Sequence, residues 1–188
     1  DCAHIPLSFA QQRLLFLWQL EPHGAAYNMA AGLRLKGRLD ESALSRSFDH
    51  LLARHEVLRT VFHTDGDQAH QLILEQQSIA LERFDLTGTA AQEREQVLAQ
   101  HVQNVTAQPF DLRHGPLLRA SLFALADDEF VLLVSMHHIV SDGWSMDVMV
   151  REFVQCYQAF SLQREPQLPA LPLQSADYAL WQRRWLAA

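Results

Sequence analysis

Nine residues, His137-His138-Ile139-Val140-Ser141-Asp142-Gly143-Trp144-Ser145, hold the groups best suited to chemistry. An imidazole titrates near neutrality and can take and return a proton. His138 follows an apolar run and precedes a turn, which directs its side chain toward a cleft. Asp142 can accept a hydrogen bond or pair with an arginine, and Gly143 permits a tight turn and close approach of a ligand to the backbone. Trp144 and Ser145 lead into a helix whose first amides point toward the same region. His137, beside the buried strand, reads as structural. The pair is not expected to bind metal, because neighbours on an extended strand point to opposite faces and no third ligand of suitable spacing follows.

The elements that must hold this stretch come from pattern. Ser8-Phe9-Ala10-Gln11 is a capping box that opens a helix running to Leu20 and closed by Glu21-Pro22-His23-Gly24. Tyr27–Lys36 alternates as a strand. Asp40 caps a helix whose apolar positions, Ala43, Leu44, Phe48, Leu51 and Leu52, recur up to about Arg54. Leu58–Thr64 and Gln68–Glu75 flank Asp65-Gly66-Asp67 as a hairpin. A strand is read over Leu81–Leu86 and an exposed amphipathic helix over Ala90–Ala107. Leu117–Leu125 and Phe130–Met136 form a second hairpin, whose continuously apolar second arm is an inner strand. Ser145 or Asp147 opens a helix carrying Met149, Phe153 and Tyr157. Beyond it, residues from about 165 to 188 read as a Pro-rich loop and a last helix with Trp181 and Trp185, expected to serve core or inter-lobe packing. The fold class is α+β, a mixed and largely antiparallel sheet with helices packed on it.

Composition narrows the function. The chain has 188 residues, 48% of them hydrophobic, and a formal net charge of −7, which fits one globular domain. Lys36 is the single lysine and basic residues form no cluster, so nucleic-acid binding is not expected. No apolar run reaches the length of a membrane span. Cys2 and Cys156 are too few for a disulfide framework and lack metal-ligand spacing; Cys156 reads as a small buried hydrophobe. With no signal peptide, the expected location is the cytoplasm. The chain does not begin with Met and reads as a piece of something longer.

His137-His138-x-x-x-Asp142-Gly143 resembles the HHxxxDG motif of nonribosomal peptide synthetase condensation domains, members of the chloramphenicol acetyltransferase-like superfamily. Three further segments match in the family's order. Ser8-Phe9-Ala10-Gln11-Gln12-Arg13-Leu14 is similar to its first motif, Arg54-His55-Glu56-Val57-Leu58-Arg59-Thr60-Val61-Phe62 to its second, and Ala176-Asp177-Tyr178-Ala179-Leu180-Trp181 to its fourth. Inside the chain the departures are small: Leu15-Phe16 stands where an aromatic often comes first, and Ala176 where a tyrosine is common. In length the resemblance covers the N-terminal lobe alone, over residues 1–188, with the second lobe absent.

The resemblance implies amide bond formation between a donor acyl or peptidyl thioester and an acceptor aminoacyl thioester. Both ride on the phosphopantetheine arms of carrier proteins, and the lobe itself binds no cofactor. His138 is the residue implied to face the reacting groups, as a proton acceptor or by orienting the amine. His137 and Asp142 support it. The family pattern pairs Asp142 with an arginine of the second motif, Arg54 by spacing and Arg59 as the second choice. Gly143 either offers its backbone to the thioester arm or serves as a plain turn glycine. Trp144 and Ser145 are candidates for the substrate channel, as are Gln11 and Arg13, which equally suit a supporting face of the first helix. The implied partners are donor and acceptor carrier proteins, the missing lobe and an adenylation domain. An epimerisation domain of the same superfamily and a noncatalytic module that recognises carrier proteins are the alternatives. The isolated lobe is expected to be inactive.

Overall fold

The computed structural model describes residues 5–141, 145–169 and 171. The elements in chain order are β1 (Ile5–Pro6), α1 (Phe9–Leu20), β2 (Asn28–Lys36), α2 (Glu41–Arg54), β3 (Thr60–Asp65), β4 (Gln68–Ile73), β5 (Leu81–Asp85), α3 (Ala91–Thr106), β6 (Leu118–Ala126), β7 (Glu129–His137) and α4 (Met146–Ser161). Single 3-10 turns occupy Glu56–Arg59 and His138–Ser141.

Local chemistry sets the helix starts. The Ser8 hydroxyl accepts from the Gln11 amide while the Gln11 side chain accepts from the Ser8 amide, so two donors of the first turn are satisfied. Asp40 caps α2 by accepting from the Ala43 amide, and Ser145 caps α4 by accepting from the Val148 amide.

The strands divide between two sheets. One has the order β1-β4-β3; the other, which carries the histidines, has the order β2-β7-β6-β5. All pairings are antiparallel except β5 with β6. Gly66 takes the positive φ of the β3–β4 turn. The two-residue strand β1 is too short for any periodic signal, and Leu58 lies in a 3-10 turn, not in the hairpin arm read from sequence.

β7 is central and buried from Val131 to His137. Its alternation feeds two cores. Leu132, Val134 and Met136 pack with residues of α1, α2 and α4, including Trp18, Leu44, Phe48, Leu51, Met149 and Phe153. Val131 and Leu133 pack instead with Leu98 and Val105 of α3 and with Phe123 and Leu125 of β6. A strand covered on both faces reads as the unbroken apolar run that the sequence displays.

Candidate active site

His137 and His138 sit at the junction of β7 and the 3-10 turn. His137 is the last strand residue, opposite Asn28 of β2, and it is 4% exposed. Its Nδ1 accepts from the Ile139 amide at 3.0 Å, so the neutral ring carries its proton on Nε2. Phe110 meets the ring edge-on and Tyr27 lies tilted against it. Burial pushes its pKa down to about 4, with the neighbouring His138 adding to the effect. His137 is therefore neutral near pH 7 and locked into the fold.

His138 is exposed. Its amide donates to the Tyr27 carbonyl at 2.7 Å, extending the β2–β7 ladder by one residue. Ile139 and Val140 are buried in the main core and α1 packs on the turn, so the segment is anchored on both sides. The Ser141 hydroxyl lies 2.9 Å from His138 Nδ1 and 2.7 Å from the His138 carbonyl oxygen. Nε2 has no partner among the described residues.

Arg54 ends α2. Its Nε donates to Glu152 of α4 at 2.6 Å, and His55 Nε2 lies 3.0 and 2.9 Å from the two oxygens of the same carboxylate. Burial pulls the His55 pKa down against the opposing attraction of Glu152. Arg59, the second choice to meet Asp142, is taken up by backbone: it donates to the carbonyls of Leu52, Ala53, Leu74 and Glu75.

Of the remaining candidates, Gln11 is fully buried and its amide oxygen serves the capping box. Arg13 is exposed on α1. Ser145 spends its hydroxyl on the cap of α4. Cys156 is a free, buried cysteine whose pKa burial raises to about 11, which makes it an inert packing group. Asp142, Gly143, Trp144, Cys2, the fourth-motif segment and the two final tryptophans lie outside the described residues, as does the last helix read from sequence. Among the described residues, no three His, Cys, Asp or Glu side chains gather as a metal set, and no helix is long and apolar enough to cross a membrane.

Glu152, and a role for Ser141 beside His138, are absent from the expectations drawn from sequence. Glu152 had a signal: it interrupts the apolar stripe Met149-Phe153-Cys156, and a carboxylate on such a stripe needs a buried partner. Ser141 stands at an unspecified position of the motif.

With the geometry in place, comparison with known proteins gives the family. The model of the condensation domain matches residues 2–188. The chain belongs to the condensation-domain family. One of the linear gramicidin synthase proteins of Brevibacillus parabrevis is 50% identical over 97% of this condensation-domain chain, a match that occupies 2% of that protein. Malpinin synthetase of Mortierella alpina is 48% identical over 97% of the chain and 2% of its own length. Among solved structures, the teicoplanin-biosynthesis X-domain in complex with OxyB matches with a TM-score of 0.85 at 33% identity, covering 100% of this chain and 39% of that one. The first condensation domain of the calcium-dependent antibiotic synthetase, solved with a substrate analogue, matches with a TM-score of 0.83 at 25% identity over 99% and 44%. The chain thus spans a small fraction of these curated relatives and under half of these solved chains.

Proposed function

We propose that this chain is the N-terminal lobe of a condensation domain that forms amide bonds in nonribosomal peptide assembly in the cytoplasm. Donor and acceptor arrive as thioesters on the phosphopantetheine arms of two carrier proteins, and a second lobe and an adenylation domain complete the machinery. The observation that carries the reading is the division between the two histidines. One is neutral and built into the strand end, and the other projects outward from an anchored turn with Nε2 available.

The acceptor amine attacks the donor thioester carbonyl. A C–N bond forms, the C–S bond breaks, and the carrier thiol leaves with the electron pair and is protonated. His138 Nε2 meets the attacking nitrogen and accepts its N–H, either orienting the amine or removing its proton; both roles need an unprotonated ring nitrogen at that place. His137 backs the strand end, Arg54 anchors α2 to α4, and Asp142 stands as Arg54's further partner in the motif loop. Gly143 is assigned to the support of the active site, and Trp144 and Arg13 to the substrate channel.

The test is product formation by the two-lobed domain supplied with loaded carriers. His138→Ala is expected to lower turnover by about 10²-fold or more, the usual worth of a positioned proton-transfer group, with an unchanged melting curve. Near-normal turnover in that variant overturns the assignment. The 188-residue chain alone is expected to form no product.

A second reading has one observation behind it. The similar X-domain, 39% of which this chain covers, was solved in complex with OxyB. Retention of all physiological output by a His138→Ala variant, with loss on surface substitution, would favour that reading.

A further inference from the structure

We propose that Ser141 is a positioning residue that holds the neutral His138 ring in one tautomer, with the proton on Nδ1 and the lone pair on Nε2. The inference rests on the reading of His138 as the group that meets the amine, and it goes beyond that reading by naming what prepares the ring.

Ser141 has one hydroxyl proton, yet its oxygen makes two close contacts within the same turn: 2.7 Å to the His138 carbonyl and 2.9 Å to His138 Nδ1. A carbonyl oxygen can only accept, so the hydroxyl proton must lie between the two oxygens. The remaining contact then requires Nδ1 to donate. The chain of bonds runs Nδ1–H to Ser141 Oγ and Oγ–H to the His138 carbonyl, and Nε2 is left as the acceptor. The opposite tautomer would set the Nδ1 lone pair against that of the hydroxyl oxygen, or break the carbonyl bond.

The backbone explains why this residue can do it. In a 3-10 turn, side chains three positions apart eclipse one another, and Ser141 is the i+3 neighbour of His138 in the turn His138–Ser141. Buried Ile139 and Val140 fix the turn against the core, so the hydroxyl is held over the ring edge. The neighbouring His137 has the reverse arrangement, with Nδ1 accepting from the Ile139 amide. The two adjacent rings therefore carry their protons on opposite nitrogens, each set by a bond inside the same turn.

A solvated neutral imidazole favours the proton on Nε2, the wrong nitrogen for an acceptor there. Ser141 reverses that preference. When Nε2 takes a proton, Nδ1–H keeps its acceptor, so no rearrangement accompanies the transfer.

The test combines a spectrum and a rate. In the protein labelled with ¹⁵N in its histidine rings, neutral His138 is expected to show Nδ1 as the protonated nitrogen and Nε2 as the bare one. Ser141→Ala should move the pattern toward Nε2–H, and Ser141→Thr, which keeps the hydroxyl, should restore it. In the two-lobed domain, Ser141→Ala is expected to lower kcat roughly five- to tenfold with KM unchanged, the scale of one neutral hydrogen bond. Ser141→Thr should recover the rate. If Ser141→Ala fails to fold, the isosteric pair Ser141→Val and Ser141→Thr carries the same contrast. An unchanged spectrum in the Ala or Val variant overturns the tautomer assignment, whatever the rate does. A changed spectrum with full turnover overturns the positioning role. Full turnover in His138→Ala removes the underlying reading of His138 as the reactive group, and the spectrum still decides separately whether Ser141 sets the ring.

Discussion

Arg54 Nε lies 2.6 Å from Glu152 Oε1, joining the last turn of α2 to the middle of α4. Both side chains are largely buried, and His55 shares the same carboxylate. Removing the carboxylate takes away the group that the Arg54 guanidinium and the His55 ring share across the α2–α4 contact. Glu152→Ala is expected to cost roughly 3 kcal/mol of stability, as for other buried pairs that lose one partner. Urea denaturation measures it, and a loss below the scatter of ordinary surface substitutions contradicts the role given to Glu152.

His137 makes stability depend on pH with a defined sign. Its pKa is about 4 in the folded chain against an ordinary 6.5, so the unfolded chain binds more protons between those values. Stability from this group is fully present above pH 6.5 and is lost progressively as pH falls toward 4, by roughly 3 kcal/mol in all. His55, also shifted downward by burial, acts with the same sign. In His137→Asn, an amide oxygen takes the place of Nδ1 without a titrating ring. The slope of unfolding free energy between about pH 7 and pH 5 should flatten relative to the parent, and an identical slope refutes the assignment.

The cap of α1 bears on the site because α1 packs on the His138 turn. Ser8→Ala removes the hydroxyl to which the Gln11 amide donates and should cost about 1 kcal/mol. Amide hydrogen exchange is expected to rise first over residues 9–12. Protection unchanged there would mean that the cap contributes nothing.

Arg59 clamps four carbonyls from two separate segments, the end of α2 and the chain just after β4. Lysine offers one compact ammonium where the guanidinium offers a planar fork. Arg59→Lys should therefore destabilise by about 2 kcal/mol although the charge is kept. Thermal melts at two salt concentrations check this; a variant that melts with the parent excludes the clamp.

Much of this architecture could be read from local pattern. Ser8, Asp40 and Ser145 cap the helices for which their side chains suit them, because a cap is decided within four residues. The unbroken run from Phe130 identified β7 as an inner strand, since burial on both faces leaves no polar alternation to see. The family motifs, matched in order, anticipated a family that the comparison then established. What escaped depends on long-range encounter. The separate β1-β4-β3 sheet is set by pairing between Ile5-Pro6 and His70-Gln71, more than sixty residues apart in sequence. Glu152 was hidden because its meaning lies in Arg54 and His55, nearly a hundred residues earlier. Ser141 was hidden for the opposite reason: its partner is so close that only turn geometry reveals the bond.

The ladder between β2 and β7 runs from Lys36 opposite Glu129 to Asn28 opposite His137, and one further bond ties His138 to Tyr27. Only the first position past the strand end is exposed, so a slip that advances the chain by one residue would put His137 there and move His138 into the buried position of Ile139. His137 would emerge and His138 would be swallowed by the core. The chain carries two chemically identical rings side by side, and the sheet acts as the ruler that tells them apart. A single-residue insertion between Glu129 and Met136, with the ladder held from Glu129, would leave both histidines in the sequence and present His137 at the exposed position, with Val140 and not Ser141 as its i+3 neighbour.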